Sequence, residues 1–268
     1  MLPSFIIIGA MKCGTTSLYE YLNPHPDLGR STPKETNFFL TPKHFSKGVP
    51  YYESLFKKGR KIAFEASPNY TKLPKFPGVP ERMYSVVPDT KLVYIMRDPI
   101  KRIFSHYLHS YANRDENLSF SEAIRDSKYI YIECSKYYYQ LEAFLEYYNK
   151  DQIYCMCLEE LSQNPEQEMN TLCNFLDIPY NFDINKLNER AHVTSQKMRV
   201  SKLEYFLSRL TASPKHKWSI HKRLRRCGTP MESPIPSEAD LELIKSILEP
   251  DLKKLREFTG LDFPQWSI

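Results

Sequence analysis

Near the start of the chain, Phe5-Ile-Ile-Ile-Gly9-Ala-Met-Lys12-Cys13-Gly14-Thr15-Thr16-Ser17 joins an apolar run to two glycines, a lysine and three hydroxyls. These residue types at this spacing suit anion binding. Gly9 and Gly14 let the backbone curl so that several N–H groups point inward, and a helix opening at Thr15 adds its positive end. Thr15, Thr16 and Ser17 add hydroxyl donors. In a nucleoside-triphosphate P-loop the lysine follows the second glycine, whereas Lys12 precedes Gly14 and sits on the turn itself. The expected nucleotide-binding set at this end is Lys12, Cys13, Gly14, Thr15, Thr16 and Ser17.

A second constellation lies in Lys91-Leu-Val-Tyr-Ile-Met-Arg97-Asp98-Pro99-Ile-Lys-Arg102-Ile-Phe-Ser105-His-Tyr. Pro99 presets a first helical turn and Asp98 can cap it, which fixes Arg97 at the carboxyl edge of a strand. Ligands of doubly wound sheets bind at that edge. The fork of Arg97 with the hydroxyl of Ser105, about two turns into the helix, suits a terminal phosphate. The alternative is an Arg97 paired with a neighbouring carboxylate and a Ser105 on the helix surface. Arg102 reads as a solvated helix charge, and His106 and His109 as structural or surface residues. Arg97 also stands where a P-loop NTPase carries its magnesium-holding aspartate, which counts against magnesium-assisted phosphoryl transfer.

Positioning these groups requires a sheet. Short apolar runs at Ser4–Gly9, Lys61–Glu65, Lys91–Arg97 and Gln152–Leu158 read as strands buried on both faces. They alternate with helical patterns at Thr15–Leu22, Pro99–Tyr111, Ser135–Tyr148 and Pro165–Leu176, and a helix pair is expected at Ser237–Leu248 and Pro250–Thr259. The expected fold class is α/β: a P-loop-like central parallel β-sheet flanked by helices on both faces. Thr71–Glu81 and Ser213–Pro236, both rich in proline, read as surface loops, the second long enough to act as a lid. With no repeat or linker, residues 1–268 read as one domain.

Composition sets outer limits. The chain has 268 residues, 41% of them hydrophobic and 26% charged, which is ordinary for a folded enzyme. A formal charge of +5 is too small to imply nucleic-acid wrapping, yet it allows a locally basic cleft. The apolar run at Phe5 is too short for a membrane span and lacks a cleavage site, so no membrane partner and no export are expected. Six cysteines at irregular spacing, without CxxC pairs or clustered histidines, predict buried free thiols, no metal site and a reducing, cytoplasmic setting.

Both constellations resemble the phosphate-binding motifs of sulfotransferases that use 3′-phosphoadenosine 5′-phosphosulfate (PAPS), particularly the heparan sulfate branch. The first is similar to that family's 5′-phosphosulfate loop and the second to its 3′-phosphate motif. Pro33-Lys34-Glu35-Thr-Asn-Phe38-Phe39 resembles the segment bearing its catalytic glutamate, and Phe64-Glu65-Ala66-Ser67-Pro68-Asn-Tyr70 its second-strand motif. Tyr137–Gln140 and Leu158–Leu161 fit as well. Ala66 stands where several heparan sulfate enzymes carry lysine. A basic loop over the nucleotide is not distinct, and Arg223–Pro230, with Arg225 and Gly228, is a candidate replacement.

The resemblance implies sulfuryl transfer from PAPS to a hydroxyl or amine of a small-molecule or saccharide acceptor, leaving 3′-phosphoadenosine 5′-phosphate (PAP), with no metal required. Stabilising charge on the leaving phosphate is the main task, and Lys12 with the turn amides is placed for it. Glu35 takes the part of the base; the plainer reading is a loop carboxylate paired with Lys34 or Arg30. Glu65 is the competing carboxylate, able to orient Lys12 or the acceptor, and Tyr70 and Tyr137 are candidate acceptor contacts. A nucleotide kinase using Gly9–Ser17, or a nucleotide-binding domain without turnover, are the competing functions. Sequence says nothing of oligomeric state.

Overall fold

Side-chain alternation along the first strand decides the architecture. In β1 (Phe5–Gly9) every residue is buried, with Phe5 and Ile7 in one apolar cluster and Ile6 and Ile8 in another. A strand apolar on both faces needs cover on both. The computed structural model describes residues 1–57, 59–113, 115–126, 130–182, 198–199, 229–230 and 235–268.

Along with β1, strands β2 (Leu28–Arg30), β3 (Ile62–Ala66), β4 (Lys91–Met96) and β5 (Ile153–Cys157) form a parallel sheet in the order β2-β3-β1-β4-β5. The chain fills one side of β1 first and then crosses to the other. The carboxyl ends of β1 and β4 therefore flank the switch point, where a doubly wound sheet opens a crevice. Lys12 follows β1 and Arg97 follows β4, so topology alone sets the two expected anion sites side by side.

The helices are α1 (Thr15–Leu22), α2 (Pro42–Phe45), α3 (Val49–Ser54), α4 (Val79–Tyr84), α5 (Pro99–Ala112), α6 (Phe120–Ala123), α7 (Tyr137–Leu145), α8 (Leu158–Gln163), α9 (Pro165–Leu176) and α10 (Glu238–Thr259). Leu18 and Leu22 of α1 and Met169 and Leu172 of α9 close one face over Ile7, Val93 and Ile95. Ile103 of α5, Leu141 and Phe144 of α7 and Leu252 of α10 close the other over Ile6, Ile8 and Leu92. A two-residue antiparallel pair, Met198–Arg199 with Thr229–Pro230, also occurs.

Besides the short helices α2, α3, α6 and α8, which the sequence patterns do not mark, three elements depart from the sequence expectation. The terminal pair of helices is one 22-residue helix with Pro250 inside it. Its buried stripe, Ile244, Leu248, Leu252 and Leu255, contributes about 1.5–3 kcal/mol per side chain, which outweighs the roughly 3 kcal/mol of an interior proline. The stretch read as a loop to Glu81 turns helical at Val79, because Pro80 fits a first helical turn and Gly78, at φ 71°, supplies the entry. The edge strand β2 is three residues long and too short to signal itself by alternation. The loop expected at Ser213–Pro236 lies outside the described residues except for Thr229–Pro230 and Ile235–Pro236.

Candidate active site

The turn after β1 is held open by close packing. A Cβ on Gly9 would stand 2.0 Å from Thr71 Oγ1, and one on Gly14 would stand 2.6 Å from Leu158 Cδ1. Gly14 is left-handed at φ 88°, and so is Lys12 at φ 72°, a conformation that costs a non-glycine residue energy and that clusters at ligand sites. No side chain caps α1, so its first N–H groups, on Thr15, Thr16 and Ser17, meet the cleft without an internal partner. Cys13 departs from the expected set. Its N–H closes the turn onto Ala10 O at 3.1 Å, and its fully buried thiol meets Tyr137 OH at 3.5 Å. Burial pushes that thiol up to about 11, so it stays neutral.

At the end of β4, Asp98 Oδ1 accepts the N–H groups of Ile100 (2.9 Å) and Lys101 (3.2 Å) as the N-cap of α5, in agreement with the sequence. Its other oxygen accepts Ser267 N (3.0 Å) and Ser267 Oγ (2.6 Å), and Glu159 Oε1 accepts Asp98 N at 3.1 Å. The residues at the C-terminal end of the chain thus brace this corner, aided by Trp266 against Tyr137. Tyr137 OH donates to Arg97 O at 2.7 Å and accepts from Arg97 N at 3.3 Å. Tyr137 is fully buried, so it fixes the backbone of Arg97 and does not contact an acceptor.

Arg102 is not the solvated charge that helix periodicity suggested. It is fully buried, with Nε donating to Met11 O at 3.1 Å and Nη1 to Tyr131 O and Ser135 Oγ at 2.9 and 3.0 Å. The Met11 bond ties α5 to the turn that carries Lys12. One helical turn on, burial together with Arg102 and Lys72 drives His106 far below the usual imidazole range, keeping it neutral.

Glu35 leaves the sheet edge on a loop pinned at both ends. Ala66 N donates to Lys34 O at 3.3 Å, and the buried Phe38 stacks on Tyr52 at 4.4 Å. The carboxylate sits 3.5 Å from Lys34 Nζ, which also donates to Thr16 Oγ1 at 3.0 Å and Thr15 Oγ1 at 3.4 Å. Burial lowers the Lys34 amine despite the pull of Glu35. Lys34 was read only as a partner for Glu35; nothing in its spacing reveals that it bridges Glu35 to the hydroxyls of α1.

Glu65 and Tyr70 fall elsewhere than expected. Glu65 is fully buried and accepts hydroxyl bonds from Thr36, Ser67, Tyr52 and Tyr70 at 2.7, 2.5, 2.5 and 3.2 Å. Burial raises its carboxyl, and both oxygens are occupied, so it orients neither Lys12 nor an acceptor. Tyr70 is spent on the same network. This network instead builds the floor under the Glu35 loop.

A single cleft of about 950 Å³ collects the rest: Lys12, Gly14, Thr15, Thr16 and Ser17 of the first turn, Arg97 and Ser105 of the second motif, and Glu35 all line it. Lys72, Lys101 and His109, not singled out as binders by the sequence, line it too. Arg225 and Gly228 lie outside the described residues. No group of three or more His, Cys, Asp or Glu side chains with metal-binding arrangement occurs among the described residues, and no described helix is long and apolar enough to cross a membrane.

A parallel sheet with a glycine turn at its switch point, and an arginine at the next strand end on the same cleft, is a P-loop-like α/β fold. The chain belongs to the sulfotransferase family: residues 2–232 match the family described as "Sulfotransferase domain". It is 31% identical over 193 residues, 66% of this chain and 22% of the relative, to the bifunctional heparan sulfate N-deacetylase/N-sulfotransferase 1 of Caenorhabditis elegans. Against the heparan sulfate glucosamine 3-O-sulfotransferase 3B1 of Mus musculus it is 31% identical over 187 residues, 66% of this chain and 46% of the relative. The chain therefore spans less than half the length of these relatives. Among solved structures, a sulfotransferase from Alicyclobacillus acidocaldarius has a TM-score of 0.70 at 24% identity over the whole of both chains. Mouse sulfotransferase SULT7A1 complexed with PAP scores 0.53 at 13% identity over 96% and 88% of the two chains. At these identities the likeness is one of fold.

Proposed function

We propose that the protein transfers the sulfuryl group of PAPS to a hydroxyl or amine of a small-molecule or saccharide acceptor, with residues 1–268 as one transfer domain. The observation that carries this reading is the convergence of the Lys12 turn, Arg97 with Ser105, and Glu35 on one cleft. The residues fit a nucleotide with an anion at each end: an uncapped helix N-terminus with a left-handed lysine for the 5′ end, and a braced arginine for the ribose phosphate. The same fold holds PAP in the mouse enzyme. Saccharide acceptors are favoured by the heparan sulfate relatives.

When bound, the donor supplies an activated sulfur whose bridging oxygen leaves with the phosphate as the acceptor oxygen or nitrogen attacks. Glu35 removes the proton from the attacking atom, and its 3.5 Å contact with Lys34 orients the carboxylate. Lys12 and the open amides of α1 neutralise charge growing on the leaving phosphate, and because they are fixed beforehand they need no reorganisation. Arg97 and Ser105 hold the opposite end, which sets the register of the reacting bond against Glu35. A metal is not required in this scheme, since Lys12 and the α1 hydroxyls meet the charge.

Two measurements test it. Calorimetry is expected to show tight PAP binding that exceeds ATP with magnesium; preference for ATP would point to a kinase. Turnover of labelled PAPS over an acceptor panel is expected to fall about 10²–10⁴-fold in Glu35→Gln, the usual contribution of a general base, with PAP affinity unchanged. Full activity in that variant removes Glu35 as the base.

A further inference from the structure

The cleft holds one more cation than the donor requires. Lys101 pairs with Asp98 at 3.6 Å, Lys34 beside the cleft pairs with Glu35 at 3.5 Å, and Lys12 and Arg97 are the cations assigned above to the two ends of the donor. Lys72 is half-buried in the same cleft, and no carboxylate forms an ion pair with it among the described residues. Its backbone is clamped on both sides. Thr71 Oγ1 donates to Ile8 O at 3.3 Å, and Gln140 both donates to Leu73 O at 3.0 Å and accepts from Leu73 N at 2.8 Å. This lysine is therefore presented to the cleft by a fixed segment.

The surroundings make the charge costly. Burial brings the Lys72 amine down to about 8; Arg102 and Lys75 add to the effect, while Cys134 and Glu35 oppose it. The Cys134 thiol is itself raised by burial and stays neutral, so among the described residues Glu35 is the carboxylate that acts on Lys72, and it is already paired with Lys34. A half-buried ammonium among other cations recovers its desolvation cost when a ligand brings an anion to it. Lys72 lines the same cleft as Glu35, Pro68 and Asn69, and Glu35 is near enough to act on its charge; the acceptor must present its reacting atom to that base.

Resting on the sulfotransfer reading above, we propose that Lys72 is an acceptor-specificity residue: it binds a carboxylate or sulfate on the acceptor, close to the hydroxyl or amine that is sulfated. The same charge would also suit the sulfuryl oxygens of the donor, and the two sources are separable. PAP lacks the sulfuryl group and the acceptor, so its affinity is expected to stay within about twofold in Lys72→Met, a result that also shows that the variant folds.

The deciding probes are 4-nitrophenyl β-D-glucuronide and 4-nitrophenyl β-D-glucoside, which differ by one carboxylate, titrated into the PAP-loaded enzyme. Wild type is expected to bind the glucuronide at least about tenfold more tightly, a difference of about 1.4 kcal/mol. Lys72→Met is expected to erase the preference, and Lys72→Arg to keep most of it. Equal binding of the two probes by wild type, no binding of either, or an undiminished preference in Lys72→Met would each overturn the proposal. So would a Lys72→Met effect confined to KM for PAPS, which would assign the charge to the donor. Failure of PAP to bind wild type would instead strike the sulfotransfer reading itself.

Discussion

Removing one buried oxygen, Tyr137→Phe, is expected to weaken binding of the 3′-phosphate without touching the nucleotide. Tyr137 OH gives its proton to Arg97 O at 2.7 Å and receives Arg97 N at 3.3 Å, with the Cys13 thiol 3.5 Å away. Phenylalanine fills the same space, so no cavity forms, but two backbone groups lose their partner. Leaving buried polar groups unsatisfied costs about 1–3 kcal/mol. Part of that cost lowers folding stability. The rest appears in binding, because a loosened Arg97 must be reordered by the phosphate it grips; at about 1.4 kcal/mol per decade, roughly tenfold in PAP affinity is expected. Adenosine 5′-monophosphate, which lacks the 3′-phosphate, provides the control, and its affinity is expected to change less than about twofold, within the scatter of additive sites. Calorimetry of both ligands on both proteins decides it. A parallel loss for the two nucleotides would mean that the hydroxyl supports the whole fold, and an unchanged PAP affinity would mean that Arg97 is held by other contacts; either result refutes the argument.

Two further outcomes follow from the same geometry. Ser267→Ala deletes the 2.6 Å hydroxyl bond to buried Asp98 while leaving the 3.0 Å amide bond, so a loss of about 1.5 kcal/mol or more, typical of a bond to a charged group, is expected in folding stability by urea denaturation, and whatever part loosens Arg97 is expected to lower PAP affinity and not AMP affinity by calorimetry. Asp240, buried at the start of α10, is pushed up by burial, but bonds from Ser121, Arg125 and Ser237 outweigh this and hold it below the ordinary carboxylate range. A depressed carboxyl stabilises the fold above its unfolded pKa of about 4. The penalty of Asp240→Asn, read by urea denaturation, is therefore expected to be largest near pH 7 and to shrink as the pH falls below about 4.

Much of this site was legible because its backbone geometry is written in local residues. Gly9, Gly14, Asp98 and Pro99 each force a turn or a helix start, and those turns fall at strand ends that parallel topology must bring together. Arg97 and Ser105, placed by the same cap and helix start, both line the cleft. What could not be read was burial of polar groups. Arg102 and Ser105 lie on one helix three residues apart, and only the covering segment around Tyr131 and Ser135 decides that the first is internal and the second lines the cleft. Glu65 ends a strand at the functional edge, as a catalytic carboxylate would, and four hydroxyls, from Ser67 and Tyr70 just beyond it and from Thr36 and Tyr52 of other segments, make it structural. Lys34 and Lys72 sit in loops, where spacing carries no orientation.

The two ends of the cleft are built on different physical terms, and this sets how each tolerates change. At the end proposed for the 5′-phosphosulfate, the available donors are chiefly backbone amides of α1 and adjacent hydroxyls. No single side chain except Lys12 dominates, and each hydroxyl lost from Thr15, Thr16 or Ser17 leaves the amides and the helix end in place. At the end proposed for the 3′-phosphate, recognition would rest on one guanidinium, whose placement is distributed over a second layer: Tyr137 on its backbone, Asp98 and Ser267 at the helix cap, and Glu159 on the next amide. The first arrangement is robust to side-chain substitution and sensitive to backbone change at Gly9 and Gly14, where an added Cβ meets Thr71 or Leu158. The second reverses that sensitivity, so buried residues that never meet the ligand govern whether it is held.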